Sequence, residues 1–150
     1  MPQLLVFAPC EKVIISQDEN NPTLIALLTQ IGGEIGGGPM PPNELTAVPL
    51  SWSIFTLWHY EAGDENRKYE QVLILRSPSG EAKMTSPRPI PFKPESNHRV
   101  VIRMPHFPIQ NGEWKIELYL HNLEEAMPEK PTAVYPLIAH FAMAEKEAAV

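Results

Sequence analysis

Residues 112–121 (GEWKIELYLH) set apolar side chains at Trp114, Ile116, Leu118 and Leu120 against mainly polar ones at Glu113, Lys115, Glu117 and Tyr119. A period of two marks a strand with one face on a core and the other in water. Residues 50–60 alternate in the same way, with Trp52, Ile54, Trp58 and Tyr60 on one face and Ser51, Ser53, Phe55, Leu57 and His59 on the other. In 69–77 both faces are apolar, Val72 and Ile74 against Tyr69, Leu73 and Leu75, which predicts a strand covered on both sides. Shorter runs at 10–16, 23–31, 81–85, 97–104 and 132–141 are further strands, bounded by turn formers such as 17–22 and Ser77-Pro78-Ser79-Gly80. The first two of these read as one hairpin, and residues 123–131 as room for a single helical turn. No long helix alternates with the strands, so the pattern predicts one all-β domain over residues 1–150, an antiparallel immunoglobulin-like β-sandwich of about eight strands.

Composition sharpens the picture in two places. The chain has 17 prolines in 150 residues, and a residue without an amide donor belongs in turns and on sheet edges. Residues 32–49, with five glycines and four prolines, therefore read as one long loop, and the proline-rich 86–94 as an edge covering in preference to a docking peptide. The C-terminal residues 142–150 favour a helix locally but lack an apolar stripe, so they read as a fraying tail.

The net charge of −6, with scattered Lys and Arg, argues against nucleic acid and against an anionic membrane as partners. A single cysteine cannot form an internal disulfide, and no apolar run approaches the roughly 20 residues of a membrane span, so a cytoplasmic address is expected.

Candidate chemistry is sparse. Cys10 lies beside Pro9 and Glu11, whose charge would raise rather than lower a thiol pKa, so it reads as a small buried apolar residue. His59, His98, His106, His121 and His140 have none of the close spacings that place two metal ligands on one helix or hairpin. The acidic turns at 18–20 and 64–66 hold one aspartate each, which is thin for calcium; two reversing strands between them would put both at one end of the sandwich. Gly32 to Gly38 lack the following Lys-Ser/Thr and helix that make a phosphate cradle. Trp52, Trp58 and Tyr60 could form a stacking platform for sugars, but a sandwich core claims such residues first.

The opening FAPCEKVII, a polar turn, then TLIALL, followed later by RSPSGE and by Gly112-Glu113-Trp114 leading an alternating strand, resembles a bacterial family known only as a domain of unknown function. The resemblance covers most of residues 4–141 and implies an immunoglobulin-like sandwich without implying an active site. Ala26 stands where that family commonly has glycine. The expectation is a non-catalytic binding or assembly module, with no cofactor, no metal and no catalytic residue, that recognises a protein partner or a second copy of itself. Loop and sheet residues Phe55, Leu57, His59, Ile35 and Met40 are the expected partner surface. The rival readings are a small hydrolase or metal-dependent enzyme using histidine or cysteine side chains, and a carbohydrate-binding module.

Overall fold

The computed structural model describes residues 1–16, 21–35, 46–93 and 97–143. Among the described residues there are nine strands: β1 (Gln3–Ile15), β2 (Pro22–Leu27), β3 (Gln30–Ile35), β4 (Ala47–His59), β5 (Tyr69–Arg76), β6 (Ala82–Ile90), β7 (His98–Pro108), β8 (Gly112–Asn122) and β9 (Ala133–Met143). They form a four-stranded sheet in the order β2-β1-β4-β7 and a five-stranded sheet in the order β3-β9-β8-β5-β6. Every neighbouring pair is antiparallel except β3 and β9.

The alternating strands bury what their pattern predicts. Trp52, Ile54 and Trp58 of β4 face Leu73 and Leu75 of β5 and Trp114, Ile116 and Leu118 of β8 across one core. Trp52 is 1% exposed and Trp114 fully buried. Phe107 sits between them, its ring centroid 5.6 Å from Trp52 and 5.0 Å from Trp114. Each indole still finds an acceptor, Trp52 Nε1 donating to the His106 carbonyl at 3.0 Å and Trp114 Nε1 to the Gln110 carbonyl at 2.9 Å. One polar cluster bridges the sheets: Gln71, fully buried on β5, accepts from Thr56 Oγ1 at 2.6 Å and from Trp58 Nε1 at 2.8 Å.

The run 23–31 departs from the expected single strand. It divides into β2 in the first sheet and β3 in the second. The break follows Ala26, which has a left-handed φ of 54°. Leu28 N still donates to the Pro9 carbonyl at 3.0 Å in the first sheet, while the Thr29 carbonyl accepts from Ile138 N at 3.1 Å in the second. Leu24, Ile25, Leu27, Leu28 and Ile31 are apolar in both registers, so alternation could not reveal the crossing.

The long loop over 32–49 is corrected at both ends. Gly32 and Gly33 belong to β3, and Ala47 to Pro49 begin β4. Gly32 is a close-approach glycine: a Cβ there would lie 2.5 Å from the His140 carbonyl oxygen of β9. Residues 36–45 lie outside the described residues, as do 17–20 and 144–150. The tail itself begins later than expected, since β9 runs to Met143. The proline-rich segment enters β6, an edge strand of the second sheet, with Pro87 and Pro89 paired to β5 on its inner side.

The extra strand also overturns the placement of the acidic turns. Asp64 lies near the start of β1, where Met1 meets it, whereas Ser16 and Asn21, which flank 17–20, lie at the other end of β1. An added element between them changes the parity of the strand count. The 77–80 turn and the end of β3 share one end, because β3, β9 and β5 run in the same direction.

Candidate surface site on the outer face of the first sheet

Directly opposed residues in antiparallel strands share a face, so the register assigns the outside of the first sheet. Ala8, Phe55 and Val101 form one cross-strand row, and Cys10, Ser53 and Arg103 the next. Leu57 pairs with Arg99, and on the hairpin side Leu27 pairs with Cys10, Ile25 with Lys12 and Thr23 with Ile14. All of these point away from the core occupied by Trp52, Ile54 and Trp58.

Three expected surface residues therefore lie on one strand and one face, but only His59 is freely accessible. Phe55 is 1% exposed and cannot be a contact residue as it stands, and Leu57 is half-buried. His59 is exposed and shares a 2.8 Å hydrogen bond between Nδ1 and Asn97 Oδ1. Ile35 ends β3 in the other sheet, and Met40 lies outside the described residues. The accessible apolar side chains are others: Ile14 is 44% exposed, Ile25 39% and Leu27 58%. Ile25 and Leu27 read as buried strand because the five aliphatics in the nine residues 23–31 carry no polar alternation to mark an outside.

The same face is cationic. Lys12, Arg99 and Arg103 project from it, and no Asp or Glu among the described residues shares their register. Pairing of β1 with β4 ends at Cys10–Ser53, and the β4–β7 register shifts between Pro49 and Trp52. The strands separate there into an open crevice of about 360 Å³ lined by Glu11, Lys12, Val13, Ser51, Ser53 and Arg103.

The residues singled out for chemistry are held in structural roles. Cys10 is fully buried, and burial pushes its thiol up, against a smaller opposing effect from the Lys12 backbone amide. That is the reverse of an activated thiolate. Asp64 is 2% exposed, with one carboxylate oxygen on Glu61 N at 2.6 Å and the other on the Met1 ammonium at 2.8 Å. His121 lies on the outside of the second sheet, its Nδ1 2.9 Å from Glu70 Oε1 and its Nε2 2.9 Å from the Glu125 carbonyl. Only the imidazolium can donate to both, and the Glu70 carboxylate, then the carbonyl, hold its pKa above the usual imidazole range. His98 goes the other way, lowered by burial first and then by Lys93 and Arg99. No group of three or more His, Cys, Asp or Glu that could hold a metal ion occurs among the described residues.

The stacking platform is overturned by burial. Trp58 is fully buried with its indole nitrogen on Gln71, and Tyr60 is half-buried, edge-on to Phe92 at 5.1 Å with its hydroxyl donating to the Pro91 carbonyl. No helix among the described residues is long and apolar enough to cross a membrane. No protein-family model, curated protein or solved structure matches the chain.

Proposed function

We propose that the protein is a non-catalytic binding module, built on an immunoglobulin-like sandwich, that recognises a protein partner through the outer face of its first sheet. The observation that carries this reading is the grouping of Ile14, Ile25 and Leu27, all well exposed, on one face of the β1–β2 hairpin. Single exposed aliphatics are ordinary, whereas neighbours on one face make a patch whose burial a partner would reward by roughly 25 cal/mol per Å² of apolar area.

The topology supports the immunoglobulin-like part. The segment that follows β1 is shared between the sheets, β2 in one and β3 in the other, and β3 runs parallel to the last strand. Hairpins β5–β6 and β8–β9 lie in the second sheet, and the chain changes sheets between β4 and β5, β6 and β7, and β7 and β8. Relative to that arrangement β1 is an additional strand between β2 and β4. A free, buried Cys10 is compatible with a reducing, cytoplasmic setting.

The test is a comparative affinity purification from the native host with wild type, an Ile25→Glu/Leu27→Glu double variant and a Glu113→Gln control on the other sheet. At least one protein retained by wild type and control and lost from the double variant is expected, with unchanged near-UV circular dichroism. Three identical partner lists would remove the proposal.

A further inference from the structure

Resting on that binding reading, we infer that the partner presents an acidic, aliphatic-containing segment, one of whose carboxylates seats in the crevice between Lys12 and Arg103 while its apolar side chains lie on Ile25 and Leu27. The chain as a whole carries −6, yet the outer register of its first sheet holds cations and no carboxylate among the described residues. The outside of the second sheet differs. There Arg76 pairs with Glu117, and His121 with Glu70. Lys12 and Arg103 form no ion pair among the described residues, although the acidic excess of the chain leaves carboxylates to spare. Two neighbouring cations without an ion pair among the described residues, on a chain of net negative charge, are what electrostatic complementarity to a partner looks like from one side.

The crevice suits a carboxylate in particular. Arg103 stands in the same row as Ser53, and Lys12 lies two residues beyond Cys10, so the two cations flank the point where β1 parts from β4. Ser53, 6% exposed, and Ser51 offer hydroxyl donors between them. Across the hairpin Lys12 is directly opposed to Ile25, with Leu27 two residues along, so a cation and an aliphatic side chain adjoin. An extended segment whose acidic and aliphatic residues stand two apart presents both on one face and so matches that pairing. Glu11 also lines the crevice, from the other register of β1, so the two cations offset one internal carboxylate and leave room for a single further one.

The test uses the full chain, labelled with nitrogen-15, and two blocked peptides with the acidic and aliphatic residues two apart, Glu-Ser-Ile-Ser-Glu-Ser-Leu and its amide counterpart Gln-Ser-Ile-Ser-Gln-Ser-Leu. The acidic peptide is expected to shift the amides of Lys12, Ser51, Ser53, Arg103, Ile25 and Leu27, and to bind at least about fivefold more weakly when salt rises from about 50 to about 300 mM. The amide peptide and a Lys12→Glu/Arg103→Glu variant are each expected to lose about tenfold in affinity, while Lys115→Glu on the second sheet changes nothing. Absence of binding by the acidic peptide, equal binding of both peptides, or shifts centred elsewhere would overturn the inference. So would binding of inorganic phosphate, or of vesicles containing phosphatidylserine, at this face without binding of the acidic peptide. In the affinity purification, partners lost from the Ile25/Leu27 variant but kept by the Lys12/Arg103 variant would reject the acidic segment and leave the binding module standing. If neither variant loses a partner, both fail.

Discussion

Gln71 shows how one polar side chain is held in an apolar core. Its carbonyl oxygen takes hydrogen bonds from both Thr56 and Trp58, tying β5 to β4 across the sandwich. Replacing it with leucine leaves a buried hydroxyl and a buried indole N–H without an acceptor, at a cost of about 2 kcal/mol or more. Denaturant titration of Gln71→Leu should show this loss, and adding Thr56→Val should recover part of it by removing one orphaned donor. Ala26 is a second case, since its φ of 54° lies where L-residues pay roughly 1–2 kcal/mol and glycine does not. Ala26→Gly is expected to hold or raise the melting temperature, because the relief outweighs or matches glycine's extra chain entropy, and Ala26→Val to lower it. Its left-handed backbone was not legible, because Ala26 stands inside a uniformly apolar run. The histidines supply a pH test. Because His121 has a raised pKa in the fold, its contribution to stability is complete below the unfolded-state pKa near 6.5 and fades as pH rises through the folded value. His98 is depressed, so it costs stability as pH falls from the unfolded-state value near 6.5 through its lower folded value. Thermal scans between about pH 5 and 8 should therefore show His121→Gln losing its deficit as pH rises and His98→Gln gaining on wild type as pH falls.

Among elements, β4, β5 and β8 followed from alternation because each has one face built of large apolar side chains that a sandwich must cover. The elements that escaped are those whose pattern is uniform or whose residues usually mean something else. Glycines 32 and 33 read as loop because glycine is common in loops, yet Gly32 serves a strand pressed against the β9 backbone. Gly32→Ala places a methyl group into the His140 carbonyl, and it should destabilise the protein by about 1–3 kcal/mol in chemical denaturation and deprotect the β3 amides in hydrogen exchange. Gly112 has the same character at the start of β8: its φ is 126°, and a Cβ would come within 2.9 Å of Pro78.

For the whole molecule, the two sheets share one core and differ in what they show outside. The second sheet's outer charges are partly paired among themselves, while the first presents Lys12 and Arg103 beside Ile25 and Leu27. The sequence by itself determined that the chain is all-β, that Trp52, Trp58 and Trp114 belong inside, and that prolines 87 and 89 sit on an edge, because these follow from side-chain periodicity and from proline's missing donor. It also separated Phe55 and Leu57 from the tryptophan face. Tertiary structure alone decided that Phe55 is buried, that one apolar run serves both sheets, and that Lys12 and Arg103 flank a common crevice. Exposure and cross-strand neighbours are set by register between strands distant in sequence, and a pattern read along one strand contains no record of which strand lies beside it.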